Sequence, residues 1–172
     1  DLKPDVINSN LVLAALYLAS YELLKSAVVD NIRDFYSFDY RDGKTVPDEK
    51  YREDVLHLHR DLLQASCLWL QENDVLTKAD VIEIGEIRQH RNMIAHELPK
   101  LLFDSNTNLD VQLFIRIGNL LRKIELWWVM NVVIPTNADL DGLEMDESDI
   151  QPGRVVAHDY IVSVALAGRS VH

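Results

Sequence analysis

At 172 residues and 19.7 kDa, with 48% hydrophobic and 26% charged residues, the chain is long enough for one domain with a sizeable core. That composition excludes disordered, collagen-like and low-complexity classes, and the single cysteine, Cys67, excludes a disulfide framework or a zinc site built on several cysteines. Net charge is −11, from 17 Lys and Arg against 28 Asp and Glu, so the chain on average repels nucleic acid.

Helical periodicity dominates. Asn8-Ser9-Asn10 offers N-cap side chains, and Leu11, Ala14, Ala15, Leu18, Tyr21, Leu24, Ala27, Val28 and Ile32 recur at three-four spacing, predicting a helix over 9–37. Asp42-Gly43 and Pro47 break the chain. A second helix is expected after Pro47-Asp48, with Val55, Leu58, Leu62, Ala65 and Trp69 on one stripe, ending near Asn73. Thr77 followed by Asp80 reads as an approximate capping box opening a third helix, which Pro99 should stop after Leu98. Asn108 is a candidate cap for a fourth helix through Val111, Phe114, Ile115, Leu120, Leu121, Ile124, Trp127 and Trp128, ending before Pro135. Residues 137–150 read as an acidic, solvated linker without the ligand order of a calcium loop. A terminal amphipathic segment carries Val156, Tyr160, Val164 and Leu166 and is read as a short helix. The expectation is an all-α four-helix bundle over 1–136, with 137–172 as an acidic linker and a docked C-terminal appendage.

No apolar run reaches 18 residues without a charge, so no membrane span is expected. The first residues carry no basic region followed by an apolar one, and the expected compartment is the reducing cytoplasm. The charge is uneven: residues 137–172 hold seven acids and two bases, whereas 88–96 hold two arginines, two histidines and no acid. If a polyanion binds, it binds there.

The apolar pattern breaks in the same place. The third helix should bury Val81, Ile84, Ile87, position 91, Ile94, Ala95 and Leu98, and position 91 is Arg91. An arginine in phase with an oily stripe costs desolvation unless it is paired or reaches a polar cavity. His96 is rotated about 140° from it and lies about 7.5 Å further along the axis. Asn92 and His96, four apart, share a face, with Arg88 one turn earlier. Gly85, inside the helix, suggests close approach by another backbone.

Arg91-Asn92-Met93-Ile94-Ala95-His96, near the end of the third helix of a bundle, resembles the R-x4-6-H signature of HEPN domains, and the general layout of 9–134 resembles theirs. The resemblance implies a four-helix up-down bundle of HEPN type. It also implies a metal-independent endoribonuclease of the toxin-antitoxin or antiphage-defence kind, a hydrolase without a cofactor. In that family two protomers bring their motifs into one cleft, so a homodimer, an RNA substrate and a cognate antitoxin or regulatory protein are the implied partners. Arg91 and His96 would be catalytic, with Asn92 in support and Arg88 and His90 contacting substrate. His96 would move a proton at the ribose 2′-hydroxyl or the 5′ leaving oxygen, help worth about 10²–10⁴-fold in rate. Arg91 would hold the phosphate, and the product would carry a 2′,3′-cyclic phosphate. Some family toxins have a tyrosine two residues after the histidine; here Glu97 and Leu98 follow.

Alternatives stay open. Arg91 could instead form an ion pair with Glu83, Glu125 or another acid. The same fold could serve as a non-catalytic nucleotide-binding or protein-interaction module. His57 and His59 point about 200° apart on a helix and do not share a metal. Cys67 reads as a small buried hydrophobe. Trp127 and Trp128 cannot both face one core, so one should pack inside and the other at an interface or under the tail.

Overall fold

The computed structural model describes residues 4–41, 43–103, 111–140 and 145–167. In chain order it comprises α1 (Pro4–Phe35), the strands β1 (Asp39–Arg41) and β2 (Lys44–Val46), a helical turn α2 (Glu49–Tyr51) running into a π turn (Arg52–Leu56), then α3 (Leu62–Glu72), α4 (Lys78–Phe103) and α5 (Val111–Trp128). A second π turn (Val129–Val133), α6 (Ile134–Thr136), two short 3-10 turns and α7 (Gly153–Ala167) complete it. The all-α expectation holds, except for the small antiparallel hairpin of β1 and β2, closed through Gly43 at a φ of +78°. Strand alternation over three residues is too short to read from sequence.

α1 packs against α3, α4, α5 and α7. It is long and apolar enough to cross a membrane by length and composition, and half of its most apolar window is buried inside the bundle. Its buried face is Leu13, Ala14, Tyr17, Tyr21, Leu24, Ala27, Val28 and Ile32, so the expected stripe is out of phase in the first turns: Leu11 and Ala15 are exposed. Tyr17 sets that phase. Its ring packs edge-on to Phe114 of α5 at 5.8 Å, and its hydroxyl donates to the Ile87 carbonyl of α4 at 3.1 Å. A buried tyrosine with a satisfied hydroxyl is as good a core residue as leucine. Fully buried aliphatics such as Leu24, Ile32, Leu121 and Ile124 each contribute about 1.5–3 kcal/mol.

Several expected boundaries move. α1 already begins at Pro4, and Asn8, Ser9 and Asn10 lie inside it rather than capping it. The second helix is two pieces, because Asp61 caps α3, its carboxylate accepting from the Gln64 amide at 3.0 Å, and this resets the register. Leu62 consequently faces solvent while Val55, Ala65 and Trp69 are buried. The Thr77–Asp80 box forms: the Thr77 amide donates to Asp80 Oδ2 at 2.7 Å and the Asp80 amide to Thr77 Oγ1 at 3.2 Å. Pro99 does not stop α4, which runs on to Phe103. Proline leaves the carbonyl four residues back without its amide partner, and here both Ala95 and Pro99 are on the solvent side. Pro135 is likewise passed, after the π turn at Val129–Val133 has altered the helical register. The proposed cap Asn108 lies outside the described residues.

The C-terminal segment is helical, as expected, but α7 faces the other way. Val155, His158 and Ala165 are buried, whereas Val156, Tyr160, Val164 and Leu166 are exposed. Two contacts fix this orientation. Arg154 donates to Glu125 Oε1 of α5 and to Asn31 Oδ1 of α1, both at 2.8 Å, and Asn31 donates to the same Glu125 oxygen at 3.0 Å. One turn on, His158 packs over Gly118 of α5, so the close approach expected at Gly85 occurs at Gly118 instead. In the acidic stretch Asp146 caps a 3-10 turn; residues 137–139 and 145–149 are exposed, as a solvated run should be, and Ile150 at its end is buried.

The two helical glycines should therefore respond oppositely to alanine. Nothing lies within 4 Å of a Cβ at Gly85, so Gly85→Ala should stabilise the fold by about 0.5–1 kcal/mol. A Cβ at Gly118 would sit 2.9 Å from the His158 ring, so Gly118→Ala should destabilise it; thermal melts of both variants test this. Burial also holds the His158 imidazole below its ordinary range, with Asp159 pulling weakly upward. The unfolded chain then takes up a proton near about pH 6.5 that the folded chain resists, so this group's contribution is complete above that pH and is lost as pH falls below it. Urea midpoints on either side of about pH 6.5 should differ in that sense, and less so in His158→Leu.

Candidate functional site

The segment 88–96 forms the middle of α4, held against α1 by Ile87 and Ile94, both fully buried. On a helix, Arg91 and His96 flank Asn92 by about 100° and about 40° respectively, while His90 points about 160° away from Asn92. The five candidate residues accordingly separate into different environments.

Arg91 lies at the edge of the oily stripe, its side chain 36% exposed. The guanidinium carbon sits 5.6 Å from the centre of the Tyr21 ring. Nη2 is 3.5 Å from Glu22 Oε1, and Nη1 donates to Asn92 Oδ1 at 3.3 Å. Its Nε is buried and has no hydrogen-bond partner among the described residues. The acid beside Arg91 is therefore Glu22, neither Glu83 nor Glu125. Both partners are half exposed and the contact is long, a pair worth about 0–1 kcal/mol. The cation is steadied against an aromatic face with most of its hydrogen-bonding capacity unspent.

Asn92 and His96 are exposed, and among the described residues no hydrogen bond or ion pair engages His96. Arg88 turns toward α3, where Nη1 and Nη2 grip the two oxygens of Asp61 at 2.8 and 2.9 Å. That paired grip, with the Gln64 amide, holds the Asp61 carboxyl down at about 2. His90 leans edge-on to Tyr17 at 6.2 Å and lines an open cavity of about 520 Å³ with Met93, Leu113 and Arg116. Arg116 is held by Glu83 at 2.5 Å and Glu86 at 2.6 Å, which raises its pKa and occupies its charge. Arg91 and Asn92 thus come together, His96 stands open one turn on, and Arg88 and His90 are directed elsewhere.

Tyr21 and Glu22 belong to this site and were not assigned to it from sequence. Tyr21 reads as an ordinary core residue and Glu22 as an ordinary surface acid, and only the packing of α1 on α4 brings them to Arg91. Among the described residues, no group of three or more His, Cys, Asp or Glu side chains is arranged to hold a metal ion. His59 Nδ1 accepts from the Asp61 amide at 2.9 Å, and burial pushes the Cys67 thiol up to about 12, an inert state. Fold and site together define a helical protein with an exposed arginine–asparagine–histidine strip. No family model, curated protein or solved structure matches this chain.

Asp61 both caps α3 and anchors Arg88, so Asp61→Ala should cost about 1 kcal/mol or somewhat more, while Asp61→Asn, whose amide oxygen can still cap, should cost less. Denaturant midpoints of the two variants measure the difference.

Proposed function

We propose that this chain is a HEPN-like, metal-independent endoribonuclease of the toxin or defence type, acting in the cytoplasm as a homodimer whose two Arg91–His96 strips form one cleft. The observation that supports this most is the condition of the strip itself. Arg91 is in phase with the core yet reaches the surface, is engaged by a single weak acid contact, and lies beside an exposed Asn92 and an unengaged His96.

From one helix, side chains five apart diverge too far to grip a single phosphate; a two-fold axis beside α4 would supply the second arginine and histidine. A phosphate entering the cleft would replace the weak Glu22 contact with a charge-assisted, two-pronged one. His96, unhindered, would take the proton from the 2′-hydroxyl or give one to the 5′ oxygen, and Arg91 would offset the charge growing on the phosphate oxygens. Asn92 would orient one or the other. A cognate antitoxin or regulatory protein is the partner this reading implies.

The contacts of Arg91 with Tyr21 and Glu22 favour a second reading, a non-catalytic nucleotide-binding or protein-interaction module of the same architecture, in which the arginine serves the fold. RNA cleavage in EDTA separates the two. The enzyme should leave cyclic phosphate ends, and His96→Ala should lower its rate about 10²–10⁴-fold at unchanged melting temperature. Glu22→Gln should leave cleavage intact or raise it. A module instead shows no cleavage, and Arg91→Ala lowers its melting temperature or dissociates its dimer.

A further inference from the structure

A second cavity, of about 560 Å³, opens where the end of α1, the first π turn, the end of α3 and the end of α5 converge. None of its lining residues is on α4, so it is separate from the Arg91–His96 strip. We propose that it binds an alkylated ammonium cation.

Part of the lining is aromatic and fixed: Phe35, Tyr36, Trp69 and Trp127. Trp69 and Trp127 meet at 87° with ring centres 6.4 Å apart, forming a corner, and the exposed ring of Phe35 stands 6.4 Å from Trp69. Behind the corner Trp128 stacks on Trp69 at 6.0 Å and 7°, and Trp127 packs edge-on to Trp128 at 5.0 Å. Rings backed in this way cannot fold away to close the cavity.

The polar part of the lining is mostly acidic: Glu53, Asp54 and Glu72, with His57 beside them and no lysine or arginine. The Tyr36 hydroxyl donates to Asp54 Oδ2 at 3.0 Å and so anchors that carboxylate. Among the described residues, Glu53 and Glu72 have no cationic partner.

These features select the ligand's chemistry. Ring faces carry negative quadrupole charge and attract cations, most strongly over tryptophan, and carboxylates at the mouth add to that attraction. An anion is repelled, and a neutral apolar ligand gains nothing from the acids. A hard metal ion wants oxygen on all sides, which indole walls do not supply. A methylated ammonium carries both positive charge and an apolar surface that rings can cover, and it needs no hydrogen bonds inside the cage. Such a group comes either as a free quaternary amine or as a methylated lysine side chain on a peptide.

Titration of the intact chain with choline, followed by tryptophan fluorescence at constant ionic strength, tests the proposal. A saturable change is expected, weaker by about tenfold or more in Trp127→Ala. Because Trp127 is only partly buried and sits at the edge of the core, that variant should keep its helical circular dichroism. Glu72→Gln, at an exposed position, should weaken binding without touching the core and stands in if Trp127→Ala misfolds. A trimethyllysine peptide titrated beside its unmodified form assigns the source: preference for the methylated peptide over choline points to a protein ligand, and the reverse to a free amine. The proposal falls if neither choline nor the trimethyllysine peptide gives a saturable response. It also falls if 3,3-dimethylbutan-1-ol, the neutral isostere of choline, binds as tightly as choline.

Discussion

A helix of 32 residues that must hide apolar surface on several sides is the constraint from which the other elements take their places. α3, α4, α5 and α7 all lie against α1, and direct contact between α4 and α5 is slight by comparison. The molecule is therefore organised around an axial helix more than as a ring of equal neighbours. The polar contacts that fix orientation are mostly ties between elements far apart in the chain. Tyr17 joins α1 to the α4 backbone, Arg88 joins α4 to the start of α3, and Arg154 joins α7 to α5 and α1.

That organisation explains which parts of the fold can be read from residues alone. The long helices are legible because three-four spacing and the Thr77–Asp80 box are local signals, satisfied within a turn or two. Facing is less legible. Leu11 and Leu13, or Val155 and Val156, are equally apolar, and the choice between them was made by Tyr17 reaching Ile87 and by His158 settling on Gly118, contacts that span much of the chain. Prolines mislead for a different reason. Pro99 and Pro135 carry a local cost, but a carbonyl left on the solvent side, or a π turn just upstream, makes that cost bearable.

The candidate site divides along the same line. Arg91 stands out in sequence because a charge interrupts an apolar stripe on its own helix, a local anomaly. The partners that define its state, Tyr21 and Glu22, lie on α1 and carry no anomaly of their own. Arg88 is the reverse case. Its place beside Asn92 and His96 suggests a ligand contact, but Asp61, 27 residues earlier, takes both of its prongs. The aromatic cavity was invisible as a unit because Phe35, Trp69 and Trp127 come from three helices. Trp127 and Trp128 do not part as expected: both rings pack on Trp69 and on each other, Trp128 buried and Trp127 partly so, because edge-on contact lets neighbouring residues share one core.

The tie made by Arg154 has a consequence for how the protein comes into being. Its partners Ser26 and Asn31 lie 128 and 123 residues upstream, so one flank of α1 stays bare on the ribosome until Arg154 has emerged. During that interval one side of the longest helix in the molecule is uncovered, and nascent chains in that condition are the ones that holdase chaperones shield. Synthesis speed through α7 thus sets how long the newborn polypeptide is exposed to wrong associations.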